Sequence, residues 1–199
     1  YNKDFLDYSL PKLPYKVFAN IPFAIEGKII RKLIENPNPP KDCYLVIRSK
    51  LAHRLLAKRK ENMFSIMHKP YFDFSIIYWF KKTDFSPKPS VNPVLFRFNI
   101  KKIPLLSFKE RSKYQKFVKQ AFGNGLPIRN NLQKLFSVSR IDKVLHQLSI
   151  SKKTKLTQLK LEQWIKLYKN LATLSPSTST VSNQLSKSHT NINCSSYKA

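Results

Sequence analysis

The chain has 199 residues with 37 Lys and Arg against 11 Asp and Glu, a formal charge of +26. That balance excludes a neutral-surfaced binder of acidic small molecules and points to a polyanionic partner. An apolar fraction of 42% and an aromatic fraction of 13% exclude a disordered basic tail. The length suits one full domain, or a domain with a smaller appendage. Of the three glycines, Gly27, Gly123 and Gly125, none lies in a Gly-rich phosphate loop. Cys43 and Cys194 form no pair at metal or redox spacing, and His53, His68, His146 and His189 have no partners at ligand spacing. A reducing, cytoplasmic setting and no metal are therefore expected. The longest apolar run, Phe74 to Phe80, is far below the roughly 20 residues of a membrane span, so no membrane partner is expected. No apolar segment of a secretory signal follows Tyr1-Asn2-Lys3-Asp4. Because residue 1 is Tyr rather than Met, the expectation is a fragment or a processed form.

In chain order, Lys16-Val17-Phe18-Ala19 is a short buried-strand candidate that stops at Asn20-Ile21-Pro22, where proline forbids a continuing central strand. Ile25, Ile29, Ile30, Leu33 and Ile34 recur at helical spacing until Asn36-Pro37 ends the helix. Cys43 to Ile47 is a continuous apolar run, as in a parallel strand covered on both faces. Leu51, Leu55 and Leu56 predict a second helix, closed by Lys58-Arg59-Lys60. Tyr71 to Phe80 is a third strand. Val94, Phe96, Phe98 and Ile100 alternate along a fourth, and Phe85-Ser86-Pro87-Lys88-Pro89 is a loop between the two. Strand, helix, strand, helix and a closing hairpin make an α/β unit, the second half of an open sheet. After Pro104 only helical patterns remain: Tyr114 to Phe122, Leu132 to Phe136, Ile141 to Leu148, and Leu161 to Tyr168. Three regions are expected: 1–102 as the α/β part, 103–173 as a small helical module, and 174–199 as a disordered Ser/Thr-rich tail.

The sharpest chemical feature is Asn20-Ile21-Pro22-Phe23 at the carboxyl end of the first strand, where open α/β sheets bind ligands. Asn offers an amide oxygen, Pro a free carbonyl on a stiff backbone, and Phe a face for a base. Together they suit methylation of a nucleobase's exocyclic amine. That lone pair is delocalised into the ring. Hydrogen bonds from its N–H groups to the Asn20 side chain and the Pro22 carbonyl favour a tetrahedral nitrogen whose lone pair points at an incoming methyl group. Phe23 would hold the flipped base flat, and alignment with electrostatics would supply most of the rate. As a bare tetrapeptide, the same residues also read as a turn after a strand.

These residues resemble the ribosomal RNA adenine N(6)-methyltransferases, both the housekeeping dimethyltransferases and the erythromycin-resistance enzymes. The resemblance continues through Tyr44-Leu45-Val46-Ile47, Ala52 and Arg54-Leu55-Leu56. It is strongest at Phe85-Ser86-Pro87-Lys88-Pro89-Ser90-Val91-Asn92, similar to the family's Phe-x-Pro-x-Pro-x-Val-Asn signature. Phe117 to Phe122, Arg129 to Leu132 and Leu159 to Tyr168 resemble segments of the family's helical domain. The resemblance implies the distal half of a Rossmann-like, S-adenosylmethionine-dependent methyltransferase sheet, followed by a small all-helical domain. It implies ribosomal RNA as partner and a monomer. By the same resemblance, Asn20, Pro22 and Phe23 are the target-adenine and methyl-transfer residues. Asp4-Phe5 is the acidic-plus-apolar pair whose Asp binds the cofactor's adenine, with Asn20 also at the cofactor. Phe85, with Lys88 beside it, packs on the target base. Read without the family, Asp4 is a solvated carboxylate and Phe85 a core residue.

The chain departs from the family's pattern at several points. The family's Glu-x-Gly-x-Gly loop and ribose-gripping acid would precede Asp4, where only three residues stand, so weak cofactor binding by this chain is expected. Arg48 stands where a Glu or Gln is usual. Glu26-Gly27 replaces small hydroxylated residues, and Ser86 and Pro93 replace residues more commonly His and Ser. The clusters Lys58-Arg59-Lys60, Lys81-Lys82, Lys101-Lys102 and Lys152-Lys153 are candidate phosphate contacts, because +26 exceeds what solubility requires. The short helical module and the Pro-rich loop suggest the large-subunit, macrolide-resistance type of enzyme. A catalytically inactive RNA-binding relic of the family and a basic ribosome-associated structural protein remain alternatives.

Overall fold

A computed structural model describes residues 3–122 and 126–172. The expected tail at 174–199 lies outside the described residues. Four strands and seven α-helices run in the order β1 (Lys16–Asn20), α1 (Glu26–Glu35), β2 (Asp42–Arg48), α2 (Ser49–Leu56), α3 (Met63–His68), β3 (Phe72–Trp79), β4 (Pro93–Ile100), α4 (Arg111–Ala121), α5 (Ile128–Leu132), α6 (Val138–Gln147) and α7 (Leu161–Ala172). The sheet order is β1-β2-β4-β3, with β1 parallel to β2 and β4 antiparallel to both neighbours. A helical crossover, α1, joins the parallel pair, as parallel strands require.

The sheet is legible in its alternation. Val94, Phe96 and Phe98 of β4 are fully buried, while Leu95, Arg97 and Asn99 between them are half-buried. Arg97 pairs with Asp42 across the β2–β4 ladder through two bonds of 2.8 and 3.0 Å. Cys43, Leu45 and Ile47 of β2 have no exposure, and burial beside Asp42 pushes the Cys43 thiol far up. In α1 the stripe Ile29, Ile30, Leu33 and Ile34 faces this sheet.

β1 is not a buried strand. It lies at the edge of the described sheet, paired with β2 only, and its residues alternate exposed and half-buried. Phe18 is 77% exposed, touching Tyr44 at 6.2 Å between rings. Also unforeseen is α3, which is only six residues long and too short to show a period. Its signal is a capping box: the Ser65 N–H donates to Asn62 Oδ1 at 3.0 Å and the Asn62 N–H to Ser65 Oγ at 2.9 Å.

The apolar residues of the helices after β4 join the same core as the sheet. Trp164, Tyr114, Leu132 and Ile141 are fully buried, and Trp164 donates its indole N–H to the Leu156 carbonyl at 3.3 Å. Two polar side chains fasten α4 to the α/β part. Tyr114 donates its hydroxyl to the Ile66 carbonyl at 3.1 Å. Arg111, 8% exposed, donates to the Ile34 and Asn36 carbonyls at the C-terminus of α1. Its guanidinium lies 5.4–6.0 Å from the Tyr71, Phe72 and Phe108 rings. A cation at that helix end satisfies carbonyls that would otherwise lack partners and suits the dipole.

Candidate functional site

Strand directions bring the conspicuous residues to one end of the sheet. β1 and β2 run parallel with Asn20 opposite Val46, so both strands finish at that end, with Arg48 last in β2. β4 runs the other way and starts there, Pro93 opposite Arg48. β3 finishes there too, Trp79 opposite Val94. Four segments therefore meet: the Asn20–Phe23 loop, the β2–α2 junction, the end of β3, and the loop from Phe80 to Asn92. Ser49 donates its backbone N–H to the Asn92 carbonyl at 2.9 Å, fastening the Pro-rich loop to the junction.

Within the first loop, Asn20 and Pro22 are exposed, Ile21 is buried as the anchor, and Phe23 is half-buried. The Pro22 carbonyl is not wholly free, since it accepts the Ile25 N–H at 3.1 Å. A carbonyl oxygen has two lone pairs, so one acceptor position remains. Phe85 is half-buried, its ring 5.3 Å from Phe80 in an edge-on contact, and Lys88 is exposed. The Ser86-Pro87 bond is cis.

Asp4 and Phe5 are placed differently. Asp4 Oδ1 accepts the Leu6 N–H at 2.8 Å, closing a local turn. The Phe5 ring lies 5.7 Å from Lys32 Nζ, and the same ammonium donates to the Leu6 carbonyl. These contacts fasten the segment to the second half of α1, and no hydrogen bond links it to Asn20. The exposed Asp4 carboxylate keeps its second oxygen for an outside donor, which fits the adenine amino group of S-adenosylmethionine.

Glu26 and Arg48, noted above as separate departures, are one unit. Glu26 is 1% exposed at the first turn of α1. Its Oε2 accepts the Arg48 backbone N–H at 3.0 Å, and Oε1 accepts Arg48 Nε at 2.6 Å. The carboxylate three residues past Phe23 is thus tied to the end of β2. Opposite charge at the two departures was the available signal, but only the fold shows that they touch.

A groove of about 610 Å³ opens beside this pair, between α1 and α2. Lys28, Arg31, Arg48, Lys50 and Arg54 line it, with Glu26 as the single carboxylate. These cations are dispersed in the sequence and form no run there: Lys28 and Arg31 share one helical face by their i,i+3 spacing, Lys50 and Arg54 another by i,i+4. Two of the lysine clusters expected to meet phosphates are partly engaged elsewhere. Lys101 pairs with Asp73, and Lys152 with Asp142 at 2.7 Å. Among the described residues no three His, Cys, Asp or Glu side chains cluster to hold a metal, and no helix is long and apolar enough to cross a membrane.

The mixed sheet, the loop at its strand ends and the appended helices define a methyltransferase-type α/β fold. In solved structures the chain is similar to the 23S rRNA methyltransferase ErmE, with a TM-score of 0.71 at 23% identity over 86% of this chain and 71% of that one. A dimethyladenosine transferase from Plasmodium falciparum gives a TM-score of 0.67 at 20% identity, covering 87% of this chain and 72% of that one. Residues 1–173 match the family described as ribosomal RNA adenine dimethylase, and the chain belongs to that family. A ribosomal RNA small subunit methyltransferase A from Nostoc punctiforme is 33% identical over 190 residues, 86% of this chain and 66% of the relative. An rRNA adenine N-6-methyltransferase from Bacteroides fragilis is 24% identical over 176 residues, 87% of this chain and 65% of the relative. The chain therefore spans just under two thirds of the length of these relatives.

Proposed function

We propose that the protein takes part in methyl transfer from S-adenosylmethionine to the N(6) amino group of an adenine in ribosomal RNA. The observation that carries this function is the loop Asn20-Ile21-Pro22-Phe23, held at the strand ends by buried Ile21, in a chain that belongs to the dimethylase family. The cofactor supplies a methyl group on a positively charged sulfur. Asn20 accepts one hydrogen of the target amine through its amide oxygen, and the Pro22 carbonyl accepts the other through its remaining lone pair. The nitrogen thereby becomes more tetrahedral, and its lone pair is drawn out of conjugation with the ring. Phe23 and Phe85 present rings to the flipped base, and Lys88 lies on the exposed loop beside them to meet a phosphate. Asp4 receives the cofactor's adenine amino group, with Phe5 packed next to it.

The relatives named as small-subunit methyltransferases, 33% identical, support the small ribosomal subunit as the substrate rather than the large-subunit, macrolide-resistance type expected from the sequence. Isolated small and large subunits, offered as separate substrates with labelled cofactor, distinguish them. The role of Asn20 is tested by Asn20→Ala in the protein as isolated from its source. Transfer should fall by about a hundredfold or more, while RNA affinity stays within about twofold, because the residue touches one base and no backbone. Equal loss of both would remove Asn20 from the reacting centre. No cofactor binding by the unaltered protein would leave an RNA-binding relative without catalysis.

A further inference from the structure

β3 ends in an aromatic surface that the methyl-transfer residues do not use. Ile77, Tyr78 and Trp79 are 49%, 50% and 54% exposed, and the register of β3 against β4 shifts between Ile76 and Tyr78, leaving one extra residue there. A bulge of this kind turns side chains at a strand end and is common beside functional sites. Trp79 does not stand alone. Its ring centroid lies 5.6 Å from that of His53, at 42°, and Tyr78 lies 4.9 Å from Phe80.

His53 also lines a cavity of about 570 Å³ with Arg54, Lys58, Arg59 and Lys60. Among the described residues no carboxylate pairs with any of these four cations. The acid that follows them, Glu61, is engaged by Lys69 at 2.8 and 3.0 Å and by Ser65. Ala57 caps the C-terminus of α2 in the left-handed conformation, φ 43°, its N–H donating to the His53 carbonyl at 3.0 Å, and so turns the chain from His53 into the run of cations. An exposed indole costs solubility when it covers nothing, and a run of unpaired cations beside it attracts polyanions. A flat aromatic face next to phosphate-sized positive charge is the chemistry of single-stranded nucleic acid binding.

We infer that Trp79 and His53, with Lys58, Arg59 and Lys60, form a stacking platform for an unpaired nucleotide of the RNA, beside the residues proposed to hold the methylated base and made of different side chains. The inference rests on RNA being the substrate, and adds a place where the strand is gripped beyond the target adenine. A duplex keeps its bases stacked inside and cannot use the indole, so the platform selects single strands.

The test measures affinity of the whole protein for a short oligouridylate and for an RNA duplex of equal length. Trp79→Ala should weaken binding of the single strand by about tenfold to a hundredfold and the duplex by less than about twofold. Trp79→Phe, which keeps a ring, should recover most of the loss. Lys58→Ala with Arg59→Ala should weaken both RNAs and flatten the salt dependence. Trp79 is exposed and Trp164 fully buried, so iodide should quench Trp79 alone, and bound oligouridylate should protect it. Unchanged single-strand affinity in Trp79→Ala overturns the platform, as does equal loss for both RNAs. A change in sedimentation without a change in RNA affinity also overturns it, assigning the patch to a second copy of the chain. Methyl transfer persisting while the platform fails leaves the proposed function intact. The reverse leaves an RNA site on a protein that does not methylate.

Discussion

Removing the Glu26 carboxylate is the most direct probe of how the Asn20–Phe23 loop is held. Glu26→Ala deletes the acceptor for the Arg48 N–H at 3.0 Å and for Arg48 Nε at 2.6 Å. The backbone half of this contact is the larger one. Glu26 is 1% exposed, and hydrogen bonds to a charged group contribute about 1.5–3 kcal/mol. The guanidinium half is smaller, because the Arg48 side chain is 45% exposed and ion pairs open to water contribute about 0–1 kcal/mol. The expected total is about 1.5–4 kcal/mol, a fall of about 3–16 °C in the thermal midpoint for a domain of this size. Arg48→Ala leaves the backbone bond in place and should cost about 1 kcal/mol or less. Glu26→Ser with Arg48→Glu moves the acid from the helix to the strand, as in the family pattern that this chain resembles. That exchange should recover at least half of what Glu26→Ala loses. Far-UV circular dichroism melts of the three variants give the comparison. If Arg48→Ala costs as much as Glu26→Ala, or Glu26→Ala costs less than about 1 kcal/mol, the carboxylate is not what ties α1 to β2.

Two further predictions concern the seam between the helical part and the sheet. His68 has no exposure, and burial holds its imidazole below the ordinary 6.5, with Glu35 opposing and Arg111 and Lys119 adding to the depression. Glu35 Oε1 lies 3.7 Å from His68 Nε2, too long for a hydrogen bond. The unfolded chain therefore binds a proton that the folded one refuses, so stability rises with pH up to about 6.5 and is lost as pH falls below it. His68→Phe should flatten that segment of a urea-midpoint profile, and an unchanged slope would refute the assignment. Arg111→Met strips the Ile34 and Asn36 carbonyls of their donor and should cost about 2–4 kcal/mol in urea unfolding, with Arg111→Lys between the two. No loss would mean that the guanidinium does not cap α1.

Elements carrying a long or strict period were legible before the structure. The β4 alternation at Val94, Phe96 and Phe98 and the α1 stripe from Ile29 to Ile34 each repeat often enough to fix both element type and buried face. α3 was not, since six residues cannot display a helical period and only its capping pair marks it. Burial of β1 was misjudged for a different reason. An apolar run reports how a strand can be covered, while the neighbours that cover it are set by sheet order, and here β1 has a single neighbour in the described sheet. The candidate site divides in the same way. Asn20, Pro22 and Phe23 are contiguous, so one short motif exposes them. The Glu26–Arg48 tie joins residues 22 positions apart, and the His53–Trp79 contact joins two more that only topology brings together.

That division bears on how the departures from the family pattern are weighed. Taken singly, Arg48 in place of an acid and Glu26 in place of a small hydroxylated residue suggest relaxed constraint on the loop after β1. In the fold they pair: the Glu26 carboxylate lies at the first turn of α1, where a negative charge is favoured by the helix dipole, and meets Arg48 at the end of β2. A buried carboxylate persists only where donors satisfy it, and both Glu26 oxygens have one. Random loss would more readily leave one charge buried and unpaired, at a cost of several kcal/mol. The pair therefore ties the first turn of α1 to the end of β2, three residues past the loop that carries Asn20, Pro22 and Phe23, and fixes where that loop ends.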